Sequence, residues 1–178
     1  MRKDLLTFVA YSTLTLVGLL FTIIPPCVPS IVNTFKLSLI QAGAFFLVQF
    51  AGYFVGVVFA GILSDILGRK PIYCSGILFA SAGLIWIGFS PSPLSLFIAI
   101  FTMGLGLGAL DGAANTLILD INKDKRGSAL NLLHAFFGIG ALIGPFIGGG
   151  IISAGYNWRL AFVIEGLIAG IFLIFTFF

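Results

Sequence analysis

Two acids and one histidine fall inside the long apolar runs of this chain: Asp111, Glu165 and His134. A charged acid at mid-membrane depth costs about 2.5–3.5 kcal/mol on insertion scales, so each such group needs a reason to be there. Asn115 follows Asp111 by four residues, one helical turn on along the same face, where its amide can share a proton or a ligand with the carboxyl. Asn131 and His134 are three apart and share a face of the next apolar run, at a depth similar to that of Asp111. Gln49 and Tyr53 form another turn-spaced polar pair. Such groups can carry protons and hydrogen-bond a small polar solute. Asp111, Asn115, Asn131, His134 and Gln49 are therefore the candidate substrate and proton contacts. Glu165 stands about 8 Å from the other end of its run, within reach of the interface.

Enzyme chemistry is not expected. The chain has no paired metal-ligand spacing, no G-x-S-x-G elbow and no phosphate-gripping loop. Gly104-x-Gly106-x-Gly108 lies inside an apolar run, without the preceding strand a nucleotide site requires. The reading is a protein with neither metal nor cofactor. Nucleic acid is not an expected partner, because the basic residues do not gather into one patch.

The elements that must hold these groups follow from composition. The 178 residues are 60% hydrophobic and 8% charged, with 20 phenylalanines, so lipid is the solvent that suits the surface. A spanning helix needs about 20 apolar residues. Six runs have about that length: 5–28, 39–63, 72–89, 94–119, 129–152 and 160–178. Period-2 alternation, the mark of a membrane β-barrel, is missing. The expectation is an all-α membrane domain of six spans over residues 1–178. Placing the N-terminus in the cytoplasm puts Arg2, Lys3, Arg69, Lys70, Lys123, Lys125 and Arg126 inside, against Lys36 and Arg159 outside.

Small residues at four-residue spacing mark packing seams between lipid-facing helices. Span two carries Gly52, Gly56 and Ala60; span four Gly104, Gly108 and Gly112; span five Gly140, Gly144 and Gly148. Pro145 predicts a bend in span five, and Pro25, Pro26 and Pro29 loosen or end the outer part of span one. Broken helices at membrane depth face protein or a watery cavity, so spans one and five are expected to line a pathway. Spans one to three start inside and spans four to six outside, which makes two inverted groups of three.

The stretch Gly61-Ile-Leu-Ser-Asp65-Ile-Leu-Gly68-Arg69-Lys70 joins spans two and three. It closely resembles the G-x-L-x-D-x-x-G-R-K loop of major facilitator superfamily transporters. Arg126-Gly127 and Trp158-Arg159-x-x-Phe162 are similar to other segments of that six-helix half. The resemblance implies half of a twelve-helix transporter, with Gly61, Asp65, Gly68, Arg69 and Lys70 as a conformational loop and Gly140, Gly144, Pro145 and Gly148 as hinge or packing positions. Asp111-Gly-Ala-Ala-Asn115 and Leu130–Pro145 resemble the fucose permease and glucose/mannose symporter branch. That similarity implies proton-coupled uptake of a hexose-like sugar. The branch also uses an acid in its first helix, where this chain has Ile23-Ile24-Pro25-Pro26. Gly140-x-x-x-Gly144-Pro145 resembles the drug/proton antiporters as well, although their span-four arginine has no counterpart here. Drug export is thus the alternative, with a non-transporting half-length membrane protein as a third. The implied partners are a small solute, protons, the bilayer of the plasma (inner) membrane, and either a C-terminal half or a second, parallel copy.

Overall fold

The computed structural model describes the backbone of residues 2–177 and the side chains of residues 3–64 and 66–174. All regular structure among them is helical: α1 (Arg2–Phe21), α2 (Ile24–Phe35), α3 (Leu39–Leu67), α4 (Arg69–Phe89), α5 (Pro93–Ile121), α6 (Arg126–Ser153) and α7 (Trp158–Phe177). Among the described residues five stretches are long and apolar enough to cross a membrane, α1 and α2 counting together as Lys3–Phe35. The sixth helix of the bundle, α7, is 20 residues long.

The first crossing breaks at Thr22-Ile23. In an unbroken helix the Phe21 carbonyl would accept from the nitrogen of residue 25, and the Thr22 carbonyl from that of residue 26. Both are prolines without an N–H. The helix restarts at Ile24 with Pro25 and Pro26 in its first turn, where no donor is needed, and continues to Phe35.

The segment expected to be a charged loop is nearly all helix, which corrects that expectation. Gly61 and Asp65 lie within α3, and Arg69 and Lys70 open α4. Gly68 alone turns the chain, at φ +83°, in a region open only to a residue without a Cβ. Its N–H donates to the Ser64 carbonyl at 3.1 Å. Arg69 then pairs with Asp120 in the last turn of α5, tying the hairpin to the end of another helix. The Asp65 side chain lies outside the described residues.

Packing runs chiefly between α3 and α5, α4 and α5, α1 and α6, and α4 and α7, with α1 also against α5. Exchanging the first three crossings for the last three turns the α1–α6 contact into the α3–α5 contact, as an inverted repeat requires. The two contacts also have the same chemistry. On α3 and α5, a Cβ on Gly52 or Gly56 would strike the Phe101 or Leu105 carbonyl, and one on Gly104 or Gly108 the Gln49 or Tyr53 carbonyl. On α1 and α6, Gly18 meets the Phe137 carbonyl, while Gly140 and Gly144 meet those of Thr15 and Leu19. The backbones touch, so these seams are set by glycine rather than by large side chains. The large apolar side chains left outside, among them Phe46, Phe50 and Phe54 on α3 and Leu142 and Phe146 on α6, suit a lipid or protein surround.

Candidate functional site

Asp111 lies ten residues before the end of α5, ~15 Å along the axis, and is half-buried. Gly108, one turn earlier, lets the α3 backbone come up against α5 at Tyr53. Tyr53 stands at the midpoint of α3, and its hydroxyl is a near neighbour of the Asp111 carboxyl across the seam. The Asn115 Nδ2 donates to the Asp111 main-chain carbonyl at 2.9 Å, which folds the amide back beside the carboxyl. The structure therefore joins three polar side chains of two helices at mid-bundle. Asp111 and Asn115 are held by helical spacing, and Tyr53 by a glycine contact.

His134 and Asn131 are exposed on α6, which touches α5 only lightly. Asn131 lies one turn nearer the start of α6 than His134. Gln49 has a different setting. It is 1% exposed, and its Nε2 donates to the Phe21 carbonyl at 2.8 Å. That carbonyl is the one Pro25 leaves without a donor, so Gln49 caps the broken first crossing from the neighbouring helix. Thr22 does the same for α6. Pro145 cannot serve the Ala141 carbonyl, and the Thr22 Oγ1 lies 3.1 Å from it. The same hydroxyl is 3.0 Å from the Gly18 carbonyl and 3.4 Å from the Leu19 carbonyl of α1, so its one proton is shared among three acceptors.

Sequence reasoning missed Tyr53 as the partner of Asp111, and it missed Thr22 altogether. The residue four before each proline was the available signal for the two orphaned carbonyls.

Aromatic rings border the polar cluster. Phe21, at the helix break, lies 5.2 Å from Phe50, 5.6 Å from Tyr53 and 6.2 Å from Phe137 between ring centroids. Tyr11 stacks on Phe136 at 4.7 Å. An aromatic surface beside a carboxyl and an amide can take up the apolar face of a ring-shaped solute while hydrogen-bonding its hydroxyls. Gly140 and Gly144 hold α6 against α1 here, and Gly148 lies under Pro26 and Cys27.

The Trp158-Arg159-x-x-Phe162 segment is remote from this cluster and forms a clasp at the opposite end. The Trp158 indole donates to Thr34 at 3.0 Å, and the Arg159 guanidinium donates to the Gly88 carbonyl at 3.0 Å while lying over Phe35 and Trp158. A shallow cavity of ≈ 590 Å³ beside it, lined by Phe89, Pro91, Arg159 and Leu160 among others, has no acid and lies far from Asp111.

The family model described as Major Facilitator Superfamily matches residues 10–178. The niacin transporter NiaP of Acinetobacter baylyi is 32% identical over 139 residues, which are 78% of this chain and 31% of that protein. Multidrug resistance protein 3 of Bacillus subtilis is 33% identical over 121 residues, 67% of this chain and 23% of its own. The proton:xylose symporter XylE from E. coli superposes with a TM-score of 0.81 over 98% of this chain and 44% of its own, at 18% identity, a likeness of fold alone. This chain thus spans less than half the length of the relatives it matches. With the repeat topology, the one-residue turn at Gly68 and a family model covering nearly all of it, the chain belongs to the Major Facilitator Superfamily.

Proposed function

We propose that this domain works as one half of a secondary active transporter that moves a hexose-like sugar together with protons. The observation that carries the reading is the Tyr53–Asp111 contact at mid-bundle, half-buried and flanked by Asn115 and the Phe21 ring cluster. Asp111 carries the proton, and Tyr53 and Asn115 hold its carboxyl in place. The carboxyl, the Asn115 amide and, from α6, Asn131 and His134 offer hydrogen bonds to sugar hydroxyls. Gln49 supports the site from behind by fixing the break beside Phe21. The other wall of the pathway comes from a C-terminal half or from a second, parallel copy, and the N-terminus faces the cytoplasm.

The test is uptake of labelled hexoses into proteoliposomes under an imposed proton gradient. Asp111→Asn is expected to abolish proton-driven accumulation while leaving part of the sugar exchange. Unchanged pH-dependent uptake in that variant would overturn the reading. Protection of cells against cationic dyes without any sugar uptake would replace it with drug export.

A further inference from the structure

Glu165 is the only glutamate in the chain, and the cluster around Asp111 makes no use of it. It lies seven residues into α7, ~10 Å along the axis from Trp158. Its side chain is 0% exposed, and among the described residues neither carboxyl oxygen has a hydrogen-bond partner. The next residue is pinned in place, because the Ser81 Oγ of α4 donates to the Gly166 carbonyl at 2.7 Å. On α2 the buried Cys27 sulfur lies over Gly148 of α6, and Thr34 of the same helix accepts from Trp158 at the start of α7. The carboxyl is therefore shut into the junction of α2, α6 and α7, beneath the clasp made by Trp158 and Arg159.

The charged groups of the elements around α7 are placed elsewhere. Those of α4 (Arg69, Lys70, Tyr73 and Cys74) sit in its first two turns, at the far end of the bundle. Arg126 and His134 of α6, and Lys3, Asp4 and Tyr11 of α1, likewise lie toward that end. Arg159 of α7 itself is turned toward the Gly88 carbonyl and the Phe35 and Trp158 rings. A carboxylate sealed here without donor or counter-ion carries an uncompensated desolvation penalty, whereas a neutral carboxylic acid does not. A metal cation would need further ligands, and among the described residues no group of three or more His, Cys, Asp or Glu side chains forms one. A proton needs a single oxygen.

We infer that Glu165 is a second proton-binding site, closed in this conformation between α2, α6 and α7, which exchanges its proton when the proline-rich α2 moves and admits water. The inference rests on the proton-coupled reading above for its role in transport, though not for its test. The proton binds one carboxyl oxygen when the junction is closed and leaves to water when it opens, so the site changes by one charge per cycle.

Because these 178 residues hold no other glutamate, carboxyl-¹³C glutamate reports this group alone when they are labelled without a further chain. In lipid bilayers at neutral pH, infrared spectra are expected to show a ¹³C-shifted protonated-carboxyl stretch that disappears in Glu165→Gln. The band should shift in D₂O and convert reversibly to the carboxylate signal in alkaline buffer. A carboxylate signal at neutral pH would overturn the inference. So would a protonated band that neither exchanges nor titrates in the folded protein, since that describes an inert buried acid. Glu165→Gln keeps the shape of the side chain and should leave helicity and thermal unfolding unchanged. In the uptake assay it should lose proton-driven accumulation while exchange persists. Wild-type uptake that ignores the proton gradient would sink the transport reading alone, leaving the infrared result to judge the site.

Discussion

Gln49 and Asp111 are both polar groups in an apolar bundle, and their surroundings give them different work. The Gln49 amide replaces the backbone donor that Pro25 cannot supply, and a hydrogen bond between membrane helices contributes about 0.6 kcal/mol, with a maximum near 1.7. Gln49→Leu should therefore destabilise the domain by about that amount in denaturant unfolding. The loss should shrink in a Pro25→Ala background, where residue 25 regains its N–H. A full loss in both backgrounds would show that Gln49 acts through something other than the Phe21 carbonyl. Asp111 repairs no orphaned backbone carbonyl in another helix. Its hydroxyl and amide neighbours leave it half-buried, so its substitution is expected to change proton coupling far more than stability.

At the scale of elements, register between helices is set where backbones touch. Gly108 faces the Tyr53 carbonyl, so a methyl group there must push α3 away from α5 and carry the Tyr53 hydroxyl off Asp111. Gly108→Ala is expected to cost about 1–3 kcal/mol as overpacking and to reduce transport as Asp111→Asn does. Gly43→Ala is the control, because a Cβ on Gly43 meets nothing within 4 Å. Equal stability of the two variants would refute this account of the α3–α5 seam. The Arg69–Asp120 pair works on a smaller scale. Its side chains are 38% and 45% exposed, so Arg69→Ala should cost no more than about 1 kcal/mol, and the difference should fade as salt is raised.

For the whole molecule, the charge bias along the loops supports the proposed cytoplasmic N-terminus, and exposed positions at the two ends can test it. In a Cys74→Ser background, Lys125→Cys should react with an impermeant maleimide only from the cytoplasmic side, and Lys36→Cys only from the other; both positions are exposed, and the remaining Cys27 is buried. Reversed labelling would overturn the orientation and exchange the membrane sides nearest the two proposed proton sites. Those sites lie on opposite sides of the bundle's middle. Asp111 is ~15 Å from the end of α5 on the face that carries Arg69 and Lys70, and Glu165 is ~10 Å from the start of α7 at the opposite face.

The sequence alone determined whatever depends on one stretch of chain at a time. Apolar run length made this a bundle of membrane helices. The spacing of Asp111 and Asn115 put both on one helix face, and the prolines marked the first crossing as irregular. Tertiary structure decided whatever depends on two stretches meeting. It set Tyr53 against Asp111, since only the interlocked glycines of α3 and α5 fix that register. It turned Gln49 inward to the Phe21 carbonyl, reduced the charged connection at Gly68 to a single residue, and enclosed Glu165 without a partner among the described residues. Hydrophobicity and helical period are properties of neighbouring residues. Burial and hydrogen-bond pairing across a membrane bundle are properties of which backbones come into contact, and glycine faces leave several registers open until the whole bundle closes.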